Sequence, residues 1–89
     1  MNIELKGTLK AIFAEEQITE NFRKKKIVVA IDEDTQYPQE IIVDVLNDKI
    51  SHLDNYKMGD SVIANANLRG KNNKGKYFNQ LILWSIKKN

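Results

Sequence analysis

From Ile3 to Phe13 apolar and polar residues alternate. Ile3, Leu5, Leu9, Ala11 and Phe13 share one parity, and Glu4, Lys6, Thr8 and Lys10 the other. A period of two is that of a strand with one face buried. Gly7 falls on the apolar parity, where a bend or bulge lets a long strand coil around a barrel. Phe22–Ile31 (FRKKKIVVAI) opens with cations and closes as a β-branched run, which predicts a second strand with one exposed end. Gln39–Leu46 (QEIIVDVL) predicts a third. Ser61–Arg69 alternates again, with Val62, Ala64, Ala66 and Leu68 inward, and Tyr77–Lys87 is the last strand.

The connections carry their own signals. Ala14–Asn21 is short and polar and is expected to be a loop. Asp32–Pro38 (DEDTQYP) is a turn, since the Asp side chains bond locally and Pro38 cannot donate to a ladder. Asn47–Tyr56 fits a short helix that Asn47 or Asp48 would cap, with Ile50, Leu53 and Tyr56 on one side. Lys57–Asp60 is a turn, and Gly70–Lys76 (GKNNKGK) is expected to be a hairpin loop, its Asn pair and Gly75 tolerating positive φ.

The predicted order is β-β-β-α-β-β. A small all-β chain must protect its sheet edges, and closing into a barrel does so economically. Five strands with a helix between the third and fourth is the pattern of the OB-fold, a five-stranded Greek-key barrel. At 89 residues the chain is expected to form one such domain over 1–89.

Charge sharpens this picture. Residues 61–89 contain Arg69, Lys71, Lys74, Lys76, Lys87 and Lys88 and no acid, a charge of +6, whereas residues 1–60 carry −4. Such polarity favours a polyanionic partner. On an OB-fold, ligands cross the second and third strands between the loops joining strands one and two and strands four and five. Arg23, Lys24, Lys25 and Lys26 fall at the first of these places and Arg69, Lys71, Lys74 and Lys76 at the second. Aromatic residues accompany them: Phe22, Tyr37, Tyr77 and Phe78. Single-strand binding needs this combination, because cations track phosphates while flat rings stack on any base. Arg23, Lys24, Lys26, Arg69, Lys71, Lys74 and Lys76 are therefore expected to hold phosphates, and Phe22, Tyr37, Tyr77 and Trp84 to stack bases. Asn65, Asn67, Asn79 and Gln80 add hydrogen-bonding capacity.

Plainer readings stand beside these. A lysine-rich hairpin tip can be merely solvated, and RKKK can guard a sheet edge against aggregation. Trp84, inside LILWSI, suits core packing as well as stacking. Catalysis is not expected: His52 is the sole histidine, and no phosphate loop, GxSxG elbow or nucleophile–base spacing is present. The Asp32–Asp34 turn lacks the spaced ligands and glycine of a calcium loop. No cofactor or metal is expected. With no cysteine, no signal-peptide core and no apolar run near membrane length, a cytoplasmic setting is expected, bacterial or in the host of a phage.

An ordered set of short elements also marks a resemblance. GTLKAIF, NFRKKKIVVAI, TQYPQEI, NDKI, GDSV and GKYFNQLILW together resemble a group of small bacterial and phage proteins. That group is described mainly as a domain of unknown function and is similar in build to OB-fold single-stranded DNA-binding proteins. The resemblance covers nearly the whole chain. It implies an OB-fold, nucleic-acid binding and, at family level, a homodimer or larger homo-oligomer working in DNA replication, recombination or repair. Phe22, Trp84 and Gln36–Pro38 match its aromatic pattern. Replication-type binders end in a disordered acidic tail that recruits partners, whereas this sequence closes with SIKKN, so recruitment by a tail is not expected. RNA suits the same stacking and phosphate contacts as DNA, and a protein–protein module built on the barrel edges or the acidic turn is the reading from another class.

Overall fold

Alternation along the strands produces one closed core. The computed structural model describes residues 1–89 as β1 (Asn2–Ile12), β2 (Glu16–Thr19), β3 (Phe22–Ile31), β4 (Gln39–Leu46), a 3-10 helix (Asn47–Asn55), β5 (Ser61–Asn73) and β6 (Lys76–Lys88). The sheet order is β1-β5-β6-β4-β3-β2, and β1 also pairs with β3, which closes the ring. This is the expected five-strand barrel, with β2 added as a short edge strand. The inward parity of each long strand supplies the core: Leu5 and Leu9, Ile27 and Val29, Val43 and Val45, Val62, Ala64 and Ala66, and Leu83.

β1 takes part in both halves of the barrel. Asn2–Thr8 pairs antiparallel with β5, and Thr8–Ile12 pairs antiparallel with β3, with a bulge between Leu9 and Ala11. Gly7 sits where the strand changes partner. A Cβ there would lie 1.9 Å from the Ala30 carbonyl oxygen, so only glycine allows β3 to approach this closely.

Three connections differ from the sequence expectation. The Ala14–Asn21 segment is not simply a loop, because Glu16–Thr19 folds back on β3 through the Glu20–Asn21 turn, with Gln17 opposite Arg23. The β3 edge would otherwise be unpaired here, and β2 covers it. The helix is 3-10, and its buried Ile50 and Leu53, followed by Tyr56, recur every third residue, the repeat of that helix. It has no side-chain cap; the Asn47 side chain instead accepts the Arg23 backbone N–H at 2.9 Å. The Gly70–Lys76 segment is mostly strand, its ladder running to Asn73↔Lys76 with only Lys74 and Gly75 in the turn. Both have positive φ, 54° and 86°, as a twist-matched two-residue hairpin demands.

Candidate nucleic-acid interface

Register decides which side chains share a surface. Across the β5–β6 hairpin, Arg69 pairs with Gln80, Lys71 with Phe78 and Asn73 with Lys76. These alternate pairs lie on one face. Gly70↔Asn79 and Asn72↔Tyr77 lie on the other. Arg69, Lys71, Lys76 and Phe78 are thus brought together, whereas Tyr77 is turned away from them. Both rings are open to solvent, Phe78 at 54% and Tyr77 at 79% exposure.

The same face continues onto the barrel wall. The outward parity of β3 carries Phe22, Lys24 and Lys26, and that of β4 carries Glu40, Ile42, Asp44 and Leu46. β4 and β6 run parallel but are registered at Asp44↔Ile82 alone. Beside that point a groove of about 500 Å³ opens along the seam, with Lys26, Ile42, Asp44, Leu68, Gln80 and Leu81 among its walls. Gln80 Nε2 donates to Asp44 Oδ2 at 2.6 Å, joining the hairpin face to the β3–β4 face.

The cations separate into two kinds. Lys24 Nζ stands 3.6 Å from Asp44 Oδ2, and the Arg23 guanidinium 3.7 Å from Glu15 and 3.4 Å from the Asn47 carbonyl. Those two are engaged within the protein. Lys26, Arg69, Lys71, Lys74 and Lys76 form no ion pair. On this face the free positive charge lies at Lys26 on one side of the seam and along the hairpin arm on the other. The two clusters do not flank a single loop mouth: Lys24 is opposite Leu46 at one end of β4, and the hairpin tip lies toward the other end of that strand.

The remaining predicted residues scatter. Phe22 is half-buried beside Thr19 at the β2–β3 turn. Tyr37 is exposed in the β3–β4 turn, at the end of the barrel from which the hairpin also projects. Trp84 is not core: it is 43% exposed at a bulge in β6, and its indole Nε1 donates to Asn2 Oδ1 at 2.7 Å. It stands far from the tip, roughly 26 Å along β6 at about 3.3 Å per residue. Of LILW, only Leu83 is fully buried. Asp44 and Ile42 belong to the face although charge and aromatic clustering did not single them out, and Phe78, noted beside the second cation cluster but not among the expected stacking rings, shares it too. Counting outward in twos from the buried Leu83 and Val43 identifies the rows to which Phe78 and Asp44 adjoin.

A closed barrel of this order, with a basic hairpin arm beside its β3–β4 wall, defines an OB-fold of the type seen in single-stranded DNA-binding proteins. Residues 4–87 match the family described as domain of unknown function DUF3127, and the chain belongs to that family. Among solved structures it is similar to the mitochondrial single-stranded DNA-binding protein Rim1 of S. cerevisiae. That match has a TM-score of 0.81 at 19% identity and covers 99% of this chain and 94% of that one. A small single-stranded DNA-binding protein from Streptomyces coelicolor is similar at a TM-score of 0.59 and 11% identity, over 100% and 94% of the two chains. At these identities the likeness is one of fold. No curated protein matches the chain.

Proposed function

We propose that this protein is a non-enzymatic, largely sequence-independent binder of single-stranded DNA. The observation that carries the reading is the surface on which the unpaired Arg69, Lys71 and Lys76 flank the exposed Phe78, with the unpaired Lys26 lining the adjoining groove. Cations held by no acid release counterions when a phosphate arrives, and a bare ring beside them offers a base its stacking partner. Lys74 adds charge at the arm's tip. Tyr37 projects from the same end of the barrel and extends the stacking surface. Lys24 and Arg23 contribute less, their charges being answered by Asp44 and Glu15. Phe22, Tyr77 and Trp84 lie outside this patch and would be reached only by a strand that wraps the barrel.

The likeness in fold to single-stranded DNA-binding proteins of yeast mitochondria and Streptomyces supports the same reading. Replication, recombination or repair in a bacterial or phage-infected cytoplasm is the setting that suits such a binder. One small barrel covers few nucleotides, so a homodimer or larger assembly would raise the effective concentration of sites. No helix is long and apolar enough to cross a membrane.

Fluorescence anisotropy with labelled oligo-dT, oligo-U and duplex DNA across a salt series tests the proposal. Single strands should bind more tightly than duplex, with log affinity falling against log salt at a slope of about −3.5 for about five phosphate contacts. A preference for oligo-U would reassign the ligand to RNA. Lack of binding to every probe at low salt would leave a protein partner as the reading.

A further inference from the structure

β4 is the strand at the centre of the face, yet it brings no cation to it. Its outward residues are Glu40, Ile42, Asp44 and Leu46. A phosphate is repelled by carboxylates, so a nucleic-acid strand passing from Lys26 to the hairpin arm must lay something else over β4. The bases are what remains.

Asp44 is nine-tenths buried on this surface. Its Oδ2 accepts from Gln80 Nε2 at 2.6 Å and faces Lys24 Nζ at 3.6 Å. Oδ1 accepts a hydrogen bond from no residue, and since no fully buried polar side-chain atom of the protein lacks a partner, it keeps some contact with solvent on a residue that lines the groove. A carboxylate only accepts hydrogen bonds. Lys26, the register partner of Asp44, lines the same groove with its ammonium bound to no acid, and Ile42, Leu68 and Leu81 provide apolar walls.

We propose that Asp44 selects, at one position of the bound strand, a base that sets an amino group beside a ring-nitrogen acceptor: cytosine, or adenine by the same edge. The amino group donates to Oδ1, and the ring nitrogen accepts from Lys26. Thymine and uracil fail at this point, since their single N–H is flanked by two carbonyls that the carboxylate repels. A carboxylate accepting from the cytosine amino group is an established pairing in base recognition. The inference rests on the proposed single-strand binding and adds a base preference to it.

The test is competition anisotropy at fixed salt with oligo-dC and oligo-dT of equal length, two pyrimidines of similar size. Wild-type protein should favour oligo-dC by about three- to tenfold, the worth of one such hydrogen bond. Asp44→Asn removes a negative charge and should tighten both, so the ratio is the readout, and it should fall to near one. A second measurement needs no variant: N4,N4-dimethylcytosine, which has no amino hydrogen, should bind wild-type protein no better than thymine. A wild-type ratio near one, a ratio kept in Asp44→Asn, or full binding of the dimethylated strand would each overturn the inference while leaving single-strand binding intact. No binding of any strand would overturn the binding proposal itself, and this inference with it.

Discussion

Gln80 of β6 holds Asp44 of β4 by a 2.6 Å hydrogen bond across a seam where those strands share a single registered pair, Asp44↔Ile82. An amide that donates to a nearly buried carboxylate supports that carboxylate's charge, and hydrogen bonds to charged groups contribute about 1.5–3 kcal/mol. Gln80→Ala should therefore lower stability by about 1–2 kcal/mol, the neighbouring Lys24 offsetting part of the loss. A urea midpoint equal to that of the wild type would show that the bond does not hold the seam.

Glycines in the two long strands should respond in opposite ways. A Cβ at Gly7 meets the Ala30 carbonyl oxygen, whereas one at Gly70 meets nothing nearer than the Asn79 side chain at 3.7 Å. Forcing a methyl into packed backbone costs about 1–3 kcal/mol or more. Gly7→Ala should thus lower the melting temperature by several degrees, and Gly70→Ala should leave it unchanged or slightly raised. Equal responses in thermal unfolding would argue against the closure of β1 onto β3.

Lys74 sits at φ 54° in the first position of its two-residue turn, a site that suits asparagine far better than lysine. Lys74→Asn should stabilise the domain by about 0.5–1 kcal/mol, judged by the local conformational preference. The same change should flatten the salt dependence of oligo-dT binding by about 0.7 in slope. Stability and binding would then move in opposite directions, which marks a residue kept for its charge. A gain in stability with an unaltered slope would return the tip to a solvated role.

The two rings of the hairpin separate the faces. Phe78 shares its surface with Arg69, Lys71 and Gln80, and Tyr77 lies opposite. Phe78→Ala should weaken oligo-dT binding by about 1–3 kcal/mol, the worth of one stacked base. Tyr77→Ala should cost clearly less. Isothermal titration of both variants decides between the faces, and a larger loss at Tyr77 would assign the strand to the other one.

Charge pairing makes a matching distinction. Arg69, Lys71 and Lys76 changed together to Ala should reduce the salt slope by about 2, at about 0.7 per lost phosphate contact on a single strand. Arg23→Ala should change it little, because Glu15 already faces that guanidinium and an exposed pair of this kind adds little to stability either. A loss at Arg23 as steep as that of the triple variant would move the phosphate track toward β2.

Much of this architecture could be read from the chain, and the limits have physical causes. The period-two rows of β1 and β5 located their share of the core because burial on one face imposes alternation on a strand, whereas the β-branched runs of β3 and β4 marked strands without showing which face is buried. The closing glycine was visible because Gly7 interrupts an apolar row. Glu16–Thr19 was not recognised as strand, since all four residues of this edge are exposed and no alternation is required of it. The 3-10 helix hid in a spacing of Ile50, Leu53 and Tyr56 that a helix of either kind tolerates. At the interface, cation clusters were legible as clusters, but their availability was not. Lys24 and Lys26 look alike in RKKK, and only the fold sets Asp44 against the first. Likewise the bulge opposite Asn65–Ala66 moves the inward row of β6 from Leu83 to Ile86, and Trp84, between them, belongs to neither.

The two-residue turn at Lys74–Gly75 has a bearing on how the molecule assembles. β5 and β6 are joined through it by contacts close in sequence, whereas the Thr8↔Ala30 and Asp44↔Ile82 closures each join distant segments. Hairpins form in about 1–10 μs, and long-range closures carry a larger entropic cost and come later. The arm should therefore be in place before the β4–β6 seam shuts. A ligand lying across both sides of that seam stabilises the contact made last, and contacts absent from the folding transition state act on unfolding. Bound nucleic acid should accordingly lengthen the lifetime of the closed barrel and leave its folding rate where it was.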